Sequence, residues 1–92
     1  MSSITEVASR IDAMVKDIAE YLRQKDLAGL KKNSAFVSEI TIVMMVFIED
    51  GKSLDFIKDI EAIVEKYGFE ITNYNIYPLG ILHVVYIHIA FD

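Results

Sequence analysis

Glu39–Asp92 reads EITIVMMVFIEDGKSLDFIKDIEAIVEKYGFEITNYNIYPLGILHVVYIHIAFD, and the fold turns on this stretch. Ile40–Glu49 is nearly continuous in apolar residues, rich in β-branched ones, and has no polar residues at helical spacing. That pattern predicts a central strand, apolar on both faces, with Met44 and Met45 as core fillers. Glu49-Asp50-Gly51-Lys52-Ser53 then reads as a turn, with Ser53 placed to cap a helix and Asp55 in its first turn. Phe56, Ile57, Ile60, Ile63, Val64 and Tyr67 fall on one stripe, so Ser53–Tyr67 is predicted helical, with Gly68 as the residue that ends it. Glu70–Tyr77 is a more polar strand, suited to a sheet edge. Pro78-Leu79-Gly80 reverses the chain into Ile81–Phe91, again apolar on both faces. Strand, helix and strand joined by short links predict a parallel, right-handed crossover. The hairpin that follows makes the last strand antiparallel to its neighbour.

Upstream, Ser3 and Glu6 have capping-box spacing. Ile4, Val7, Ile11, Met14, Ile18 and Tyr21 form a heptad seam, widened by Ala8, Val15 and Leu22. The opposite face carries Arg10, Asp12, Lys16, Asp17, Glu20 and Arg23. A helix to about Lys25, packed on the sheet, is predicted. Asp26–Ser34 reads as a connector with a helical turn over Leu27–Leu30, and Lys31-Lys32 as a solvated pair. The expected architecture is one α+β domain of order αβαββ, a three-stranded mixed sheet with two helices on one face.

Ninety-two residues with 53% hydrophobic content, 14 of them isoleucine, exceed what one small core can hide. The other face of the sheet is therefore expected to be shared in a homodimer. A net charge of −5 disfavours non-specific binding to nucleic acid or anionic membranes. The absence of cysteine excludes disulfides, thiolate metal sites and thiol catalysis. Ile71–Phe91 lacks Asp, Glu, Lys and Arg, but its Asn residues, its two His residues and Pro78–Gly80 read as a buried hairpin rather than a membrane span. The N-terminus has no basic region followed by an apolar core, so a cytoplasmic protein is expected. One Gln, three Asn and no Cys suit a heat-adapted source.

Phe47–Glu49, Asp50–Gly51, Leu54, Gly68, Ile71–Ile76 and Val84–Asp92 together resemble the ACT regulatory domain family, a ferredoxin-like βαββαβ fold. The likeness spans Val46–Asp92. Leu54 lies one residue further from Gly51 than in that family, and Glu70 stands where the family often has Asn. No counterpart of the family's second helix and fourth strand follows, so the N-terminal helix is expected in the place of that helix, as in a permuted arrangement. The resemblance implies a small effector, amino-acid-like, bound across a dimer interface near Asp50-Gly51-Lys52-Ser53. The order αβαββ with Val37-Ser38-Glu39-Ile40 opening a strand also resembles Alba chromatin proteins, which implies a nucleic-acid-associated alternative. The acidic charge argues against that role.

Candidate chemistry is sparse. Asp50, Gly51, Lys52 and Ser53 could contact a ligand at the helix start, or form an ordinary β–α turn. The carboxylates of Glu49 and Asp50 favour an amine-bearing ligand. Tyr67, Tyr74, Tyr77 and Tyr86 with Asn73 and Asn75 could form an amphipathic surface, either a subunit interface or a ligand box. His83 and His88 are five apart on one strand, so they point to opposite faces and cannot share a metal within the chain. No Gly-rich phosphate loop or nucleophile–base pattern is present, so no cofactor and no catalysis are expected. The function expected is a non-enzymatic, dimeric binding module for a protein partner or a small effector.

Overall fold

A computed structural model of the chain describes residues 4–24, 31–35 and 39–90, and of 4, 31–35 and 39 the backbone alone. The elements are α1 (Ile4–Gln24), β1 (Lys31–Ala35), β2 (Glu39–Val46), α2 (Ser53–Lys66), β3 (Glu70–Leu79) and β4 (Leu82–Ala90). Ser3, Leu27–Leu30 and Phe91, to which the sequence reading assigns a cap, a helical turn and a strand end, lie outside the described residues.

The α+β class and the pair of helices agree with the expectation; the sheet differs in two ways. Its strand order is β1-β2-β4-β3, and every neighbouring pair is antiparallel. β4 inserts between β2 and β3, so the two strands that α2 joins never pair and the sheet is not mixed. The hairpin decides this: β4 is apolar on both faces and takes the centre, while polar β3 is left at the edge. The second difference is β1. Lys31–Ala35 is no connector but a fourth strand, paired with β2 from Lys31↔Met44 to Ala35↔Ile40. Lys-Lys-Asn-Ser-Ala has no strand signature of its own; the unpaired backbone groups along β2 are what such a segment satisfies.

Strand ends also shift. β2 stops at Val46, leaving Phe47–Glu49 outside the sheet, whereas β3 runs on through Pro78 to Leu79. Pro78 pairs with His83 on an edge strand, a place in a sheet where a missing N–H is tolerated. The reversal is then a two-residue turn, Gly80-Ile81, with Gly80 at φ 62°. Positive φ at such a position suits the twist of a tight hairpin.

The core fills one face of this sheet. Ile40, Ile42, Met44 and Val46 of β2 stand beside Ile89, Ile87, Val85 and His83 of β4. The seven aliphatic residues of that set are at most 2% exposed. Met14, Ile18 and Leu22 of α1 and Phe56, Ile57, Ile60 and Val64 of α2 close over them in one cluster. The heptad seam of α1 thus packs on the sheet, as the sequence reading has it.

The helices run antiparallel, tied by polar contacts at both ends. Tyr21 Oη donates to Asp59 Oδ2 at 2.7 Å, and Lys66 Nζ donates to Asp17 Oδ2 at 2.9 Å. The Tyr67 hydroxyl donates to the same Asp17 oxygen. Hydrogen bonds from Tyr67 and Lys66 hold the Asp17 carboxyl below its ordinary value. Arg10 Nη2 and Nε donate to the Tyr67 carbonyl at 2.7 and 3.2 Å, and its guanidinium lies 4.6 Å over the Phe69 ring. Arg10 and Asp17 therefore do not face open water, as helical spacing alone suggests; Arg10 docks against the C-terminal end of α2, where carbonyls lack helical partners and a cation is favoured, and Asp17 is held there by Lys66 and the Tyr67 hydroxyl.

That end is closed as the sequence predicts. Gly68 has φ 79°, its N–H bonds to Glu65 O at 2.9 Å, and Phe69 N–H bonds to Val64 O at 3.3 Å. These are the two bonds of a Schellman motif, with Phe69 and Val64 as its buried apolar pair. The start of α2 differs from expectation. Lys52 occupies the cap position without a side-chain bond, and Ser53 is already helical. Lys52 N–H bonds to Glu49 O and its carbonyl accepts from Phe56 N–H, both at 3.0 Å, so the turn itself starts the helix one residue early.

Candidate functional site

Among the described residues, one hollow open to solvent lies on each side of the sheet. The first has a volume of about 320 Å³ and lies where the β2–α2 turn meets the C-terminal part of α1. Its walls are Tyr21, Phe47, Ile48 and Phe56, and its polar groups are Glu49, Lys52, Asp55 and Asp59. The antiparallel helix pairing brings Tyr21 to this end. Its ring lies 6.1 Å from that of Phe56, and its hydroxyl is held by Asp59. Burial, then the adjacent Asp59 carboxylate, raises the Tyr21 pKa well above its usual value, so the phenol stays protonated. Lys52 Nζ is 3.8 Å from Asp55 Oδ2, a loose exposed pair. Three carboxylates against one ammonium leave the hollow negative.

Of the residues assigned to ligand contact from sequence, only Lys52 lines this hollow. Asp50 and Gly51 are exposed on the turn, and Ser53 is half-buried in the first helical turn. Gly51 has φ 78° with open space where a Cβ would stand, so only backbone conformation constrains it. Sequence reasoning does not reach Tyr21, Asp55 and Asp59 as site residues. Tyr21 ends the apolar seam of α1 and Asp59 is one charged position among several on α2. Their meeting depends on how the helices pair.

Asn73 and Asn75 are elsewhere, on the sheet face that the helices leave open. Three registered rows run along that face, Thr41–His88–Asn73, Val43–Tyr86–Asn75 and Met45–Val84–Tyr77; Ser34 and Lys32 of β1 are in register with the first two, and Glu39–Ala90–Glu70 closes the far end. The third row leads on to Leu82 and Leu79 at the hairpin end. The second hollow, about 510 Å³, lies here against Asn75, Tyr77, Pro78, Leu79, Val84, Tyr86 and His88. The six predicted contact residues are thus not brought together. The tyrosines divide as well: Tyr77 and Tyr86 meet edge to face, with centroids 5.8 Å apart, whereas Tyr67 bonds to Asp17 and Tyr74 is on the helix side of β3.

The histidines fall on opposite faces, as their odd spacing requires. His88 Nδ1 shares a hydrogen bond of 3.0 Å with Thr41 Oγ1 on the open face. His83 sits on the helix face beside Val46, and its Nδ1 is buried without a hydrogen-bond partner among the described residues. No group of three or more His, Asp or Glu suited to a metal occurs among the described residues. Within the same residues no helix is long and apolar enough to cross a membrane.

Comparison with protein-family models gives no match, and comparison with curated proteins gives none.

Proposed function

We propose that the chain is a small, non-enzymatic binding module of ACT-like form, which takes an amine-bearing small effector in the hollow beside the β2–α2 turn. The observation that carries this reading is the lining of that hollow: aromatic walls from Tyr21, Phe47 and Phe56, with Glu49, Asp55 and Asp59 against one lysine. Carboxylates take an ammonium by charge-assisted hydrogen bonds, and aromatic faces attract the same cation. The volume of about 320 Å³ is at the lower end of small-ligand sites and suits a ligand of amino-acid size.

The strand order supports the ACT-like form. β2, α2, β3 and β4 make a βαββ core with β4 between the two strands that α2 joins. α1 and β1, which precede this core, supply a second helix and a fourth strand at the free edge of β2. That order supports reading the chain as a ferredoxin-like arrangement with its last helix–strand pair moved to the front.

A thermal-shift series tests the reading. Amino acids and simple primary amines at millimolar concentration are expected to raise the melting temperature, and acetate or succinate to leave it unchanged. Asp55→Asn, at an exposed position, is expected to weaken the shift without altering the free protein. If no amine shifts the melting temperature, or if Asp55→Asn leaves the shift intact, the effector reading is wrong.

A further inference from the structure

The open face of the sheet carries a second inference, independent of the effector hollow. Val43, Met45, Val84 and Tyr86 are half-buried only because strand neighbours flank them; no described element lies over them. At the hairpin end the apolar surface extends to Tyr77 at 52%, Leu79 at 55% and Ile81 at 80% exposure. The geometry points to a second copy of this chain as the occupant, docked sheet face to sheet face.

Charge decides for a copy over an unlike partner. The chain has a net charge of −5, yet in register the fixed charges of this face stand at its margins: Lys32 on edge strand β1 beside Val43, and Glu39 and Glu70 in the end row on either side of Ala90. His88 is the only other titratable group of the face outside its tyrosines, and it is bonded to Thr41. The central rows Val43–Tyr86 and Met45–Val84 carry no charge, so two copies can meet there without like charges in contact. A basic partner would find no carboxylates in the centre of the face to pair with.

Area agrees. Four strands about 4.8 Å apart and about eight residues long, at about 3.4 Å per residue, span roughly 500 Å² of face. Two copies then bring together about 1,000 Å² even before side-chain relief is counted, the lower bound for a specific interface.

The polarity gradient along the strands fixes the orientation. The Thr41–His88–Asn73 row is polar, the Met45–Val84–Tyr77 row and the hairpin are apolar. Apolar surface meets apolar surface only if the two-fold axis runs along the strands, so that both hairpins lie at one end, as in aligned sheet packing. The middle of the order β1-β2-β4-β3 is the seam between β2 and β4. An axis over that seam sets β2 of one copy over β4 of the other. Val43 then faces Tyr86 of the second copy, Met45 faces Val84, and the two Glu70 side chains stay on opposite edges.

Light scattering and cross-linking test this. The wild-type chain is expected at twice its 10.5 kDa mass at micromolar concentration. Tyr86→Lys is expected to weaken association at least about thirty-fold, as loss of a central aromatic anchor does. Leu54→Lys, an exposed position on α2, is expected to leave the dimer intact. The chain has no cysteine, so introduced ones report alone. A mixture of Met45→Cys and Val84→Cys chains is expected to join through a short bismaleimide, and a mixture of Met45→Cys and Thr41→Cys chains is not. A monomeric wild type overturns the inference, and the reverse cross-linking pattern overturns the aligned orientation. The cross-links stand even if Tyr86→Lys does not fold.

Discussion

The two faces of the central strands both carry valine and methionine, yet they meet different fates. Along β2, Ile40, Ile42, Met44 and Val46 are sealed under α1 and α2, while Thr41, Val43 and Met45, each one residue on, have no described element over them. β4 repeats the contrast, with Val85, Ile87 and Ile89 sealed and Val84, Tyr86 and His88 half-buried. Composition separates the faces only in part: isoleucine is confined to the sealed face, but valine and methionine occur on both. What separates them is that an amphipathic helix has one apolar stripe, and both stripes of this chain are used on the same side.

The largest expected effect sets the two faces of one strand against each other. Ile87→Ala empties a fully buried site on the helix face and is expected to cost about 3–5 kcal/mol. Val84→Ala, three residues earlier on the open face, is expected to cost under about 1 kcal/mol when the chain is dilute, and more as concentration rises. Urea denaturation at two protein concentrations measures both. Equal, concentration-independent losses would erase the distinction between the faces.

Next in size is the close of α2, which holds the helix layer on its face. Gly68→Ala is expected to cost about 1–3 kcal/mol, because a Cβ there meets positive φ and comes within 3.0 Å of Arg10 Nη2. Arg10→Met removes the guanidinium from the Tyr67 carbonyl and is expected to cost about 1–2 kcal/mol. The two sites are in contact, so their costs are not expected to add in the double variant. Strict additivity would show that Arg10 and Gly68 act separately.

Much of this architecture is legible in the sequence because periodicity is a local signal. Both helices, three strands, the Gly68 cap and the opposite facing of His83 and His88 follow from spacing along the chain. What is not legible depends on partners distant in sequence. Lys31–Ala35 becomes a strand only because β2 offers an edge. Strand order is set by which strand best fills the centre, so a crossover read as neighbouring parallel strands proves to have β4 inserted in it. The turn hollow is half visible. Asp50–Ser53 marks the place, but Tyr21 and Asp59 reach it only through helix pairing.

The histidines give a smaller and sharper contrast. His83 Nδ1 is buried without a partner among the described residues, so His83→Leu is expected to raise stability by up to about 1 kcal/mol. His88 Nδ1 is bonded to Thr41, so His88→Leu removes a made bond and is expected to lower stability by about 1 kcal/mol. Opposite signs from the same substitution on one strand would show that the two faces differ in polar satisfaction as well as in cover. Matching signs would contradict that.

The smallest expected effect is one of pH, and it belongs to the helix side alone. Asp17 is held below its ordinary value of 3.8 first by the Tyr67 hydroxyl and then by Lys66. A depressed carboxyl contributes stability that is full above its unfolded value and is lost as pH falls through its folded one. Lys66 is raised by the same pair, so its share is full below its unfolded value and fades as pH rises through the folded one. Melting temperature followed from neutral pH into acid should therefore fall more steeply for the wild type than for Asp17→Asn, with the two curves converging below the ordinary carboxylate range. The contact is exposed and screened by salt, so the gap should narrow at high ionic strength. A gap that persists in high salt would mean that Asp17 acts through packing against Tyr67 and not through its charge.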